Sequence, residues 1–518
     1  MDAPGPPLYS AGMLDLGHSL LASAERNPGT EAIVEGGFRL NYGAWAESVG
    51  RVAVGLDELG LKRGDHLATM LQNRWQMATL HWACQFAGII MTPLNWRFTA
   101  EELEYCVRDS AAKAVAFEAA SAAALDGSAA ARAIRGISLE PDLDADISFD
   151  ALRDAGRSMS PLASADDISL MLYTSGTTGR PKGVPRRHRA ERAAALAHVA
   201  QNRYGPGERT LGVMPLYHTM GVRSLLAMAL IDGCFVCQPR FDAGEALRLM
   251  KDERLTNLYL VPTLYHDILQ HPNFAETDIS TVRKLGFAGM SMTDGLLQRI
   301  AASFKPDLFV NHYGSSEIYT FTINDDAPAK PGSAGKAGIN QRIRVVRLGA
   351  DDPDSRAAVG EEGEIVADLI SDEAFEGYWN RPDADETSLK LGWYFTGDTG
   401  FFDADGDLFV TGRVDDMIIT GGENVSPVEI ENLLSLHPGV AEVAVVGLAH
   451  ERWGRQVTAF VRRAGEIDAD CLDAYCRDSG LANFKRPREF IFVREVPKSP
   501  VGKILRRKLV AGDYEVEA

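Results

Sequence analysis

Several things are scarce in this chain, and each scarcity excludes something. Six cysteines in 518 residues make no disulfide scaffold and fit a reducing cytoplasm. Cys234 and Cys237 stand as Cys-x-x-Cys with no second close pair behind them, and Gly233-Cys234-Phe235-Val236-Cys237 reads as a buried strand rather than a zinc or redox site. No apolar run reaches the ~20 residues that span a membrane. The start, Met1-Asp2-Ala3-Pro4-Gly5-Pro6, lacks the basic region and apolar core of a secretory signal. Positive charge is short: 53 Lys and Arg against 72 Asp and Glu give −19. That balance argues against a general affinity for nucleic acid or anionic membrane. Internal repeats and low-complexity tails are missing as well.

What remains is an ordinary globular composition, 45% hydrophobic and 24% charged, in a chain longer than one core usually supports. Two or more domains are expected. Helical and strand signals alternate, which points to an α/β architecture. Trp45, Val49, Val52, Leu56 and Leu59 mark one face of a helix that Gly60 stops. Residues 67–71 read as a strand. Thr99 and Glu102 form a capping box ahead of Leu103, Cys106 and Val107. The alanine-rich stretch 117–135 reads as a surface helix. Near the C-terminus, strand-like Leu408-Phe409-Val410 leads into Thr411-Gly412-Arg413-Val414-Asp415-Asp416, a short polar connection. Ser426-Pro427-Val428-Glu429 then reads as a capped helix start with Ser as the cap and Glu closing the box. Ile430, Leu433 and Leu434 give its apolar face, Pro438-Gly439 its end, and residues 443–446 a following strand. The last hundred or so residues therefore read as a small separate α/β domain.

The chemistry concentrates in one loop. The apolar strand Ile168-Ser169-Leu170-Met171-Leu172-Tyr173 runs straight into Thr174-Ser175-Gly176-Thr177-Thr178-Gly179-Arg180-Pro181-Lys182-Gly183. Gly176, Gly179 and Gly183 let main-chain N–H groups approach a ligand. Thr174, Ser175, Thr177 and Thr178 supply hydroxyls, and Lys182 supplies charge. A concave run of donors suits a polyphosphate. The spacing is not that of a Walker loop, since Lys182 precedes a glycine where that pattern places Ser or Thr after the lysine. Far downstream, Pro500-Val501-Gly502-Lys503-Ile504-Leu505-Arg506-Arg507 offers a second lysine able to neutralise charge where a phosphate is attacked.

Together these phrases resemble the adenylate-forming superfamily of acyl- and aryl-CoA synthetases, peptide-synthetase adenylation domains and beetle luciferases. The likeness runs from about Leu16 to Val510 and is closest in wording to bacterial aryl-CoA ligases of the 4-chlorobenzoate type. It implies a large N-terminal body of several subdomains, 1–413, with β-sheets flanked by helices, and a mobile C-terminal α+β lid, 414–518, hinged at Asp415. It implies ATP, Mg²⁺ and CoA as cosubstrates and cofactor, acting on a small-molecule carboxylate in the cytoplasm, with a homodimer left open. Tyr313, Gly314, Ser315, Ser316 and Glu317 resemble the motif that meets the α-phosphate and, through the glutamate, Mg²⁺. Asp398 matches the ribose motif with Arg413 beside it, and Phe287-Ala288-Gly289 the strand end against adenine. By the same resemblance His218 would border the carboxylate and Lys503 would serve adenylation. Gly421, Gly422 and Glu423 would line a pantetheine tunnel, and Trp453, Arg486 and Arg488 would meet CoA.

By the same resemblance Thr219, Met220, Tyr259, Ala288, His312 and Tyr319 face the acyl group. Tyr319 is bulky and His312 polar where an aliphatic residue is expected, so a compact aromatic or alicyclic acid is favoured over a halobenzoate or a long chain. The expected activity is an AMP-forming acid–CoA ligase. The alternatives are a medium-chain fatty acyl-CoA ligase, a stand-alone adenylation enzyme that loads a carrier protein, and a catalytically silent adenylate-binding protein. Retention of Lys503, Glu317 and Asp398 argues against the last.

Overall fold

The computed structural model describes residues 13–174, 181–420, 423–498 and 504–517. Their contacts separate into two compact units, each a mixture of helices and sheets. The first comprises residues up to Asn257 together with two later segments, Ser315–Tyr319 and Ile370–Asp385. The second holds Leu258–Gly314, Thr320–Leu369 and Glu386–Ala518.

A seven-stranded sheet organises the first unit, in the order Ile147–Ser148, Arg135–Ser138, Ala114–Phe117, His66–Met70, Ile90–Pro93, Ile168–Thr174, Lys182–Arg187. Every pairing is parallel except the last, where Ile168–Thr174 and Lys182–Arg187 form an antiparallel hairpin. Parallel strands are buried on both faces, and Ala114–Phe117, His66–Met70 and Ile90–Pro93 are buried throughout. Helix Tyr42–Glu58 packs against helices Trp75–Ala87 and Phe149–Arg153 with Trp45, Val49, Val52 and Leu56 buried, and Gly60 follows its end at φ +107°. The capping box at Thr99 forms in full, with Glu102 reaching back to the Thr99 N–H at 2.8 Å. Cys234–Cys237 is a fully buried strand as expected, and burial pushes both thiols upward in pKa.

The alanine-rich stretch departs from expectation. Residue 117 ends a strand, and two short helices, Ala122–Gly127 and Ala129–Arg132, replace the single helix. Ser128 breaks the run by capping the second helix, its hydroxyl accepting from the Ala131 N–H at 3.1 Å. Leu125, Ala130 and Ala131 are buried, so this is a packed corner rather than a surface helix.

In the second unit Lys284–Phe287 and Leu308–Tyr313 run parallel, and antiparallel strands extend the layer through Thr322–Asn324, Ser333–Ala337, Leu408–Arg413, Trp393–Phe402, Gly363–Asp368 and Ile343–Arg347. Leu408–Arg413 outruns its apolar signal. Thr411, Gly412 and Arg413 were expected as connection, but ladder pairs Thr399↔Gly412 and Asp398↔Arg413 keep them in the sheet, and a single 3₁₀ turn, Val414–Asp416, follows.

Beyond that turn lies a separate five-stranded sheet of Glu423–Val425, Ile418–Thr420, Gly454–Arg463, Val440–His450 and Glu489–Phe492. Ile418, Ile430, Leu434, Val445, Val457, Val461 and Leu472 form its core. Helix Pro427–Ser435 starts where expected and ends three residues before Pro438. Ser426 does not cap it: the hydroxyl donates instead to the Thr411 carbonyl, leaving the expected box unmade.

Candidate active site

The phosphate-loop residues Ser175, Gly176, Thr177 and Thr178, the tunnel residues Gly421 and Gly422, and Lys503 lie outside the described residues. Their flanks are defined. Thr174 and Lys182 are the last ladder partners of their strand pair. Lys182 Nζ sits 4.0 Å from the centroid of the Tyr378 ring. A cation over an aromatic face is held there by the ring quadrupole.

Tyr378 was not singled out from sequence, yet its hydroxyl donates to Glu317 Oε1 at 2.6 Å. Glu317 is buried, 6% exposed, in the turn that Ser315 builds. The Ser315 hydroxyl oxygen accepts from the Glu317 and Ile318 N–H groups at 3.2 and 3.4 Å, and the Ser315 N–H donates to the Ile318 carbonyl at 3.0 Å. Two acceptor contacts on one hydroxyl leave its O–H as a donor. Ser316, half-buried, follows it in the turn.

His218 precedes helix Thr219–Leu230 as its cap, Nδ1 accepting from the Met220 N–H at 3.3 Å. That contact fixes Nδ1 as the unprotonated nitrogen of the neutral ring. Thr219 and Met220 open the helix and are buried. Tyr319 is also buried. Its hydroxyl donates to Glu191 Oε2 at 3.0 Å, and the Arg186 guanidinium lies 4.1 Å from its ring centroid. Burial, reinforced by Glu191, holds the Tyr319 hydroxyl protonated well above its usual range.

In the second unit Asp398 is gripped on both oxygens. Tyr313 Oη donates to Oδ2 at 2.6 Å and Arg413 Nη1 to Oδ1 at 2.7 Å. The Asp398 N–H donates to Thr396 Oγ1 at 3.0 Å. Gly397 takes φ +71°, a backbone conformation that favours glycine, and the Arg413 guanidinium lies over it. Burial opposes charge on Arg413, but Asp398 outweighs it and raises the arginine's pKa. Each Asp398 oxygen keeps lone-pair capacity for a further donor, which is what a ribose diol requires. Gly314 follows Tyr313 and is exposed. Gly289 bends away from strand Lys284–Phe287 at φ +85°, with Ala288 buried beside it. Tyr259 and His312 form an edge-on pair, centroids 5.2 Å apart and planes at 74°.

Thr420 pairs with both Glu423 and Gly454. Those pairings bring Glu423 near Gly454, the neighbour of Trp453; Glu423 is exposed, and Trp453, under the Arg452 guanidinium at 4.9 Å, is 37% exposed. The two arginines differ. Arg486 already faces Asp473 at 2.8 Å, whereas among the described residues the Arg488 side chain donates to the Asn483 carbonyl, at 2.9 Å, and is exposed. A phosphate would compete with a carboxylate for Arg486 but not for Arg488.

Arg186, Glu191 and Tyr378 are the contributors that sequence reading missed. A usable signal existed for Arg186: a charge at an inward position of strand Lys182–Arg187 followed by Glu191 on the next helix. Tyr378 had none beyond the glycine before it, Gly377 at φ +126°.

The AMP-binding enzyme family model matches residues 20–379, and the AMP-binding enzyme C-terminal domain matches residues 429–503. The chain is 34% identical over 495 residues to a 4-chlorobenzoate–CoA ligase of Arthrobacter, covering 94% of this chain and 93% of that one. It is 33% identical over 509 residues to the long-chain-fatty-acid–CoA ligase FadD13 of Mycobacterium tuberculosis, covering 96% and 98%. Among solved structures, ATP-bound MatB from Rhodopseudomonas palustris superimposes with a TM-score of 0.86 at 29% identity, covering 96% of this chain and 99% of MatB.

Proposed function

This chain belongs to the AMP-binding enzyme family and is an AMP-forming acid–CoA ligase; from that premise we propose that its acid is a compact single-ring carboxylate, aromatic or alicyclic. The observation that carries the proposal is the locked Tyr319. Its hydroxyl is tied to Glu191 and its ring lies against Arg186. A tyrosine free to swing could open a channel for a chain. One fixed by a hydrogen bond, a cation contact and full burial cannot do so without breaking a buried network.

The reaction follows in two steps. A carboxylate oxygen of the acid attacks the α-phosphorus of ATP, and pyrophosphate leaves. The CoA thiol then attacks the acyl carbon of the adenylate, and AMP leaves. Thr174, Lys182 and the loop of Ser175, Gly176, Thr177 and Thr178 hold the phosphates. Ser315 or Ser316 donates to the α-phosphate, and Asp398 with Arg413 and Tyr313 holds the ribose. His218 borders the carboxylate. Lys503 neutralises the charge that develops on the α-phosphate, where a fixed cation counts most.

Glu317 fits a Mg²⁺ ligand. It is a buried hard-oxygen donor with one oxygen anchored by Tyr378, and Mg²⁺ typically takes one or two carboxylates plus phosphate oxygens. Bound there, the ion would supply charge neutralisation on the triphosphate.

The lid reading belongs to the same proposal. A five-stranded sheet with its own apolar core, beginning just after the turn Val414–Asp416, supports a C-terminal domain that rotates at Asp415 between the half-reactions. We also place the enzyme in the cytoplasm: all six cysteines are free thiols, and no described helix is long and apolar enough to cross a membrane.

The test is kcat/KM for benzoate, cyclohexanecarboxylate, octanoate and palmitate, read as CoA-dependent AMP release. A ring acid should lead. A tenfold or greater lead for octanoate or palmitate would replace this reading with a fatty acyl one. Thioester formation only on a carrier protein would replace CoA as the acceptor.

A further inference from the structure

Arg186 has no exposed surface. Its Nε donates to Glu191 Oε1 at 2.8 Å. Its Nη1 donates to two main-chain carbonyls, Glu317 at 2.8 Å and Glu373 at 2.6 Å. Those carbonyls lie in Ser315–Tyr319 and Ile370–Asp385, the two late segments that pack with residues up to Asn257. The segments also bind each other. The Phe375 N–H donates to the same Glu317 carbonyl at 2.9 Å, and Tyr378 Oη reaches the Glu317 carboxylate. One guanidinium nitrogen therefore staples together the backbone under the proposed metal ligand and the segment whose tyrosine grips that ligand's side chain.

Burying a guanidinium is a poor way to gain stability, since an apolar residue of similar volume usually does as well or better. What an apolar residue cannot do is donate to two carbonyls at once from a planar, rigid fork. Outer-shell groups of this kind fix the orientation of metal ligands. We propose that Arg186 and Tyr378 are positioning residues for Glu317, Arg186 setting its main chain and Tyr378 its carboxylate, so that one oxygen is presented to the metal–nucleotide complex. The proposal rests on the role given above to Glu317.

Two variants separate positioning from bulk stability. Arg186→Lys keeps a cation beside Glu191 but loses the fork. Tyr378→Phe keeps the ring beneath Lys182 and deletes only the hydroxyl. The primary measurement is Mn²⁺ binding, as a stand-in for Mg²⁺, in the presence of an ATP analogue with a methylene bridge between its α- and β-phosphates, followed by loss of the free-ion electron paramagnetic resonance signal. Both variants should bind Mn²⁺ roughly ten- to a hundredfold more weakly, the range found for outer-shell ligand partners. The Mg²⁺ concentration for half-maximal acyl-AMP formation should rise by the same factor, while conversion of supplied acyl-AMP to thioester stays within about twofold of the unmodified enzyme.

Unchanged Mn²⁺ binding in Tyr378→Phe overturns the inference, and that variant decides the matter alone if Arg186→Lys does not fold. Equal loss in both half-reactions at saturating Mg²⁺ also overturns it, by showing a merely structural role. Failure of the unmodified enzyme to form acyl-AMP from any acid would instead remove the ligase reading, and Mn²⁺ binding by the same protein would still test the geometry.

Discussion

Arg413 and Asp398 face each other across adjacent strands, Nη1 to Oδ1 at 2.7 Å, because the ladder register pairs those two residues directly. With Tyr313 on the other oxygen, the carboxylate is fixed before any ligand arrives. Preorganisation of this kind spares a binding site the cost of ordering its own groups. Asp398→Asn keeps the shape but removes the charge that both donors address. A charge-assisted hydrogen bond contributes about 1.5–3 kcal/mol, so KM for ATP should rise roughly ten- to a hundredfold. A KM within twofold of the unmodified enzyme would show that ribose binds elsewhere.

Tyr319 makes two separable contributions. Tyr319→Phe removes the bond to Glu191 and leaves the ring in place, which should cost about 1–3 kcal/mol of stability for the acceptor left without its donor. The ranking of acids should stay the same. Tyr319→Ala removes the ring, should cost about 3–5 kcal/mol, and should shift preference toward longer or para-substituted acids by roughly tenfold in kcat/KM. An unaltered ranking in the alanine variant would place the end of the acyl pocket at another residue.

Local signals carried much of the architecture. The strand into the phosphate loop, the helix bearing Trp45 and the box at Thr99 rest on short-range periodicity and capping, and these are visible in sequence. Asp398 and Arg413 were legible as separate candidates, whereas their contact is a product of strand register. The polar run Thr411–Arg413 looked like a connection because apolar pattern is blind to ladder pairing. Arg186 and Tyr378 were hidden for a related reason: their partners lie far along the chain, at Glu317 and Glu373 for the one and Glu317 for the other. A buried ion pair such as Arg186–Glu191 also violates the expectation that charges face water, so pattern reading passes over it.

The two half-reactions should separate by mutation. Lys503→Ala should slow acyl-AMP formation by roughly two to three powers of ten, the scale of losing one charge-stabilising group, and leave conversion of supplied acyl-AMP nearly normal. Asp415→Pro, which fixes φ in the turn Val414–Asp416, should do the reverse and spare adenylation. Single-turnover assays of each step on both proteins check this. Parallel losses in both steps for both variants would remove the idea of a rotating lid.

Acid should unfold the first unit early, through histidines rather than carboxylates. Burial lowers His66 to about 4, His81 to about 3 and His188 to about 4, from 6.5. His188 is neutral in a defined way, with Nδ1 accepting from the Leu16 N–H at 3.3 Å. Each ring binds a proton more readily unfolded than folded. Between pH 6.5 and about 4 the unfolded chain therefore holds more protons, and stability falls as pH falls. The contribution is fully present above 6.5 and is lost by about 1.4 kcal/mol per pH unit for each ring that differs. Glu35, in the same unit, acts in the opposite sense because burial raises its pKa, one carboxyl against three histidines. Urea midpoints at pH 8, 7, 6 and 5 provide the check. They should be level between 8 and 7 and drop between 6 and 5, before ordinary carboxylates titrate; a midpoint that stays level down to pH 5 would mean that these rings reach water in the native state.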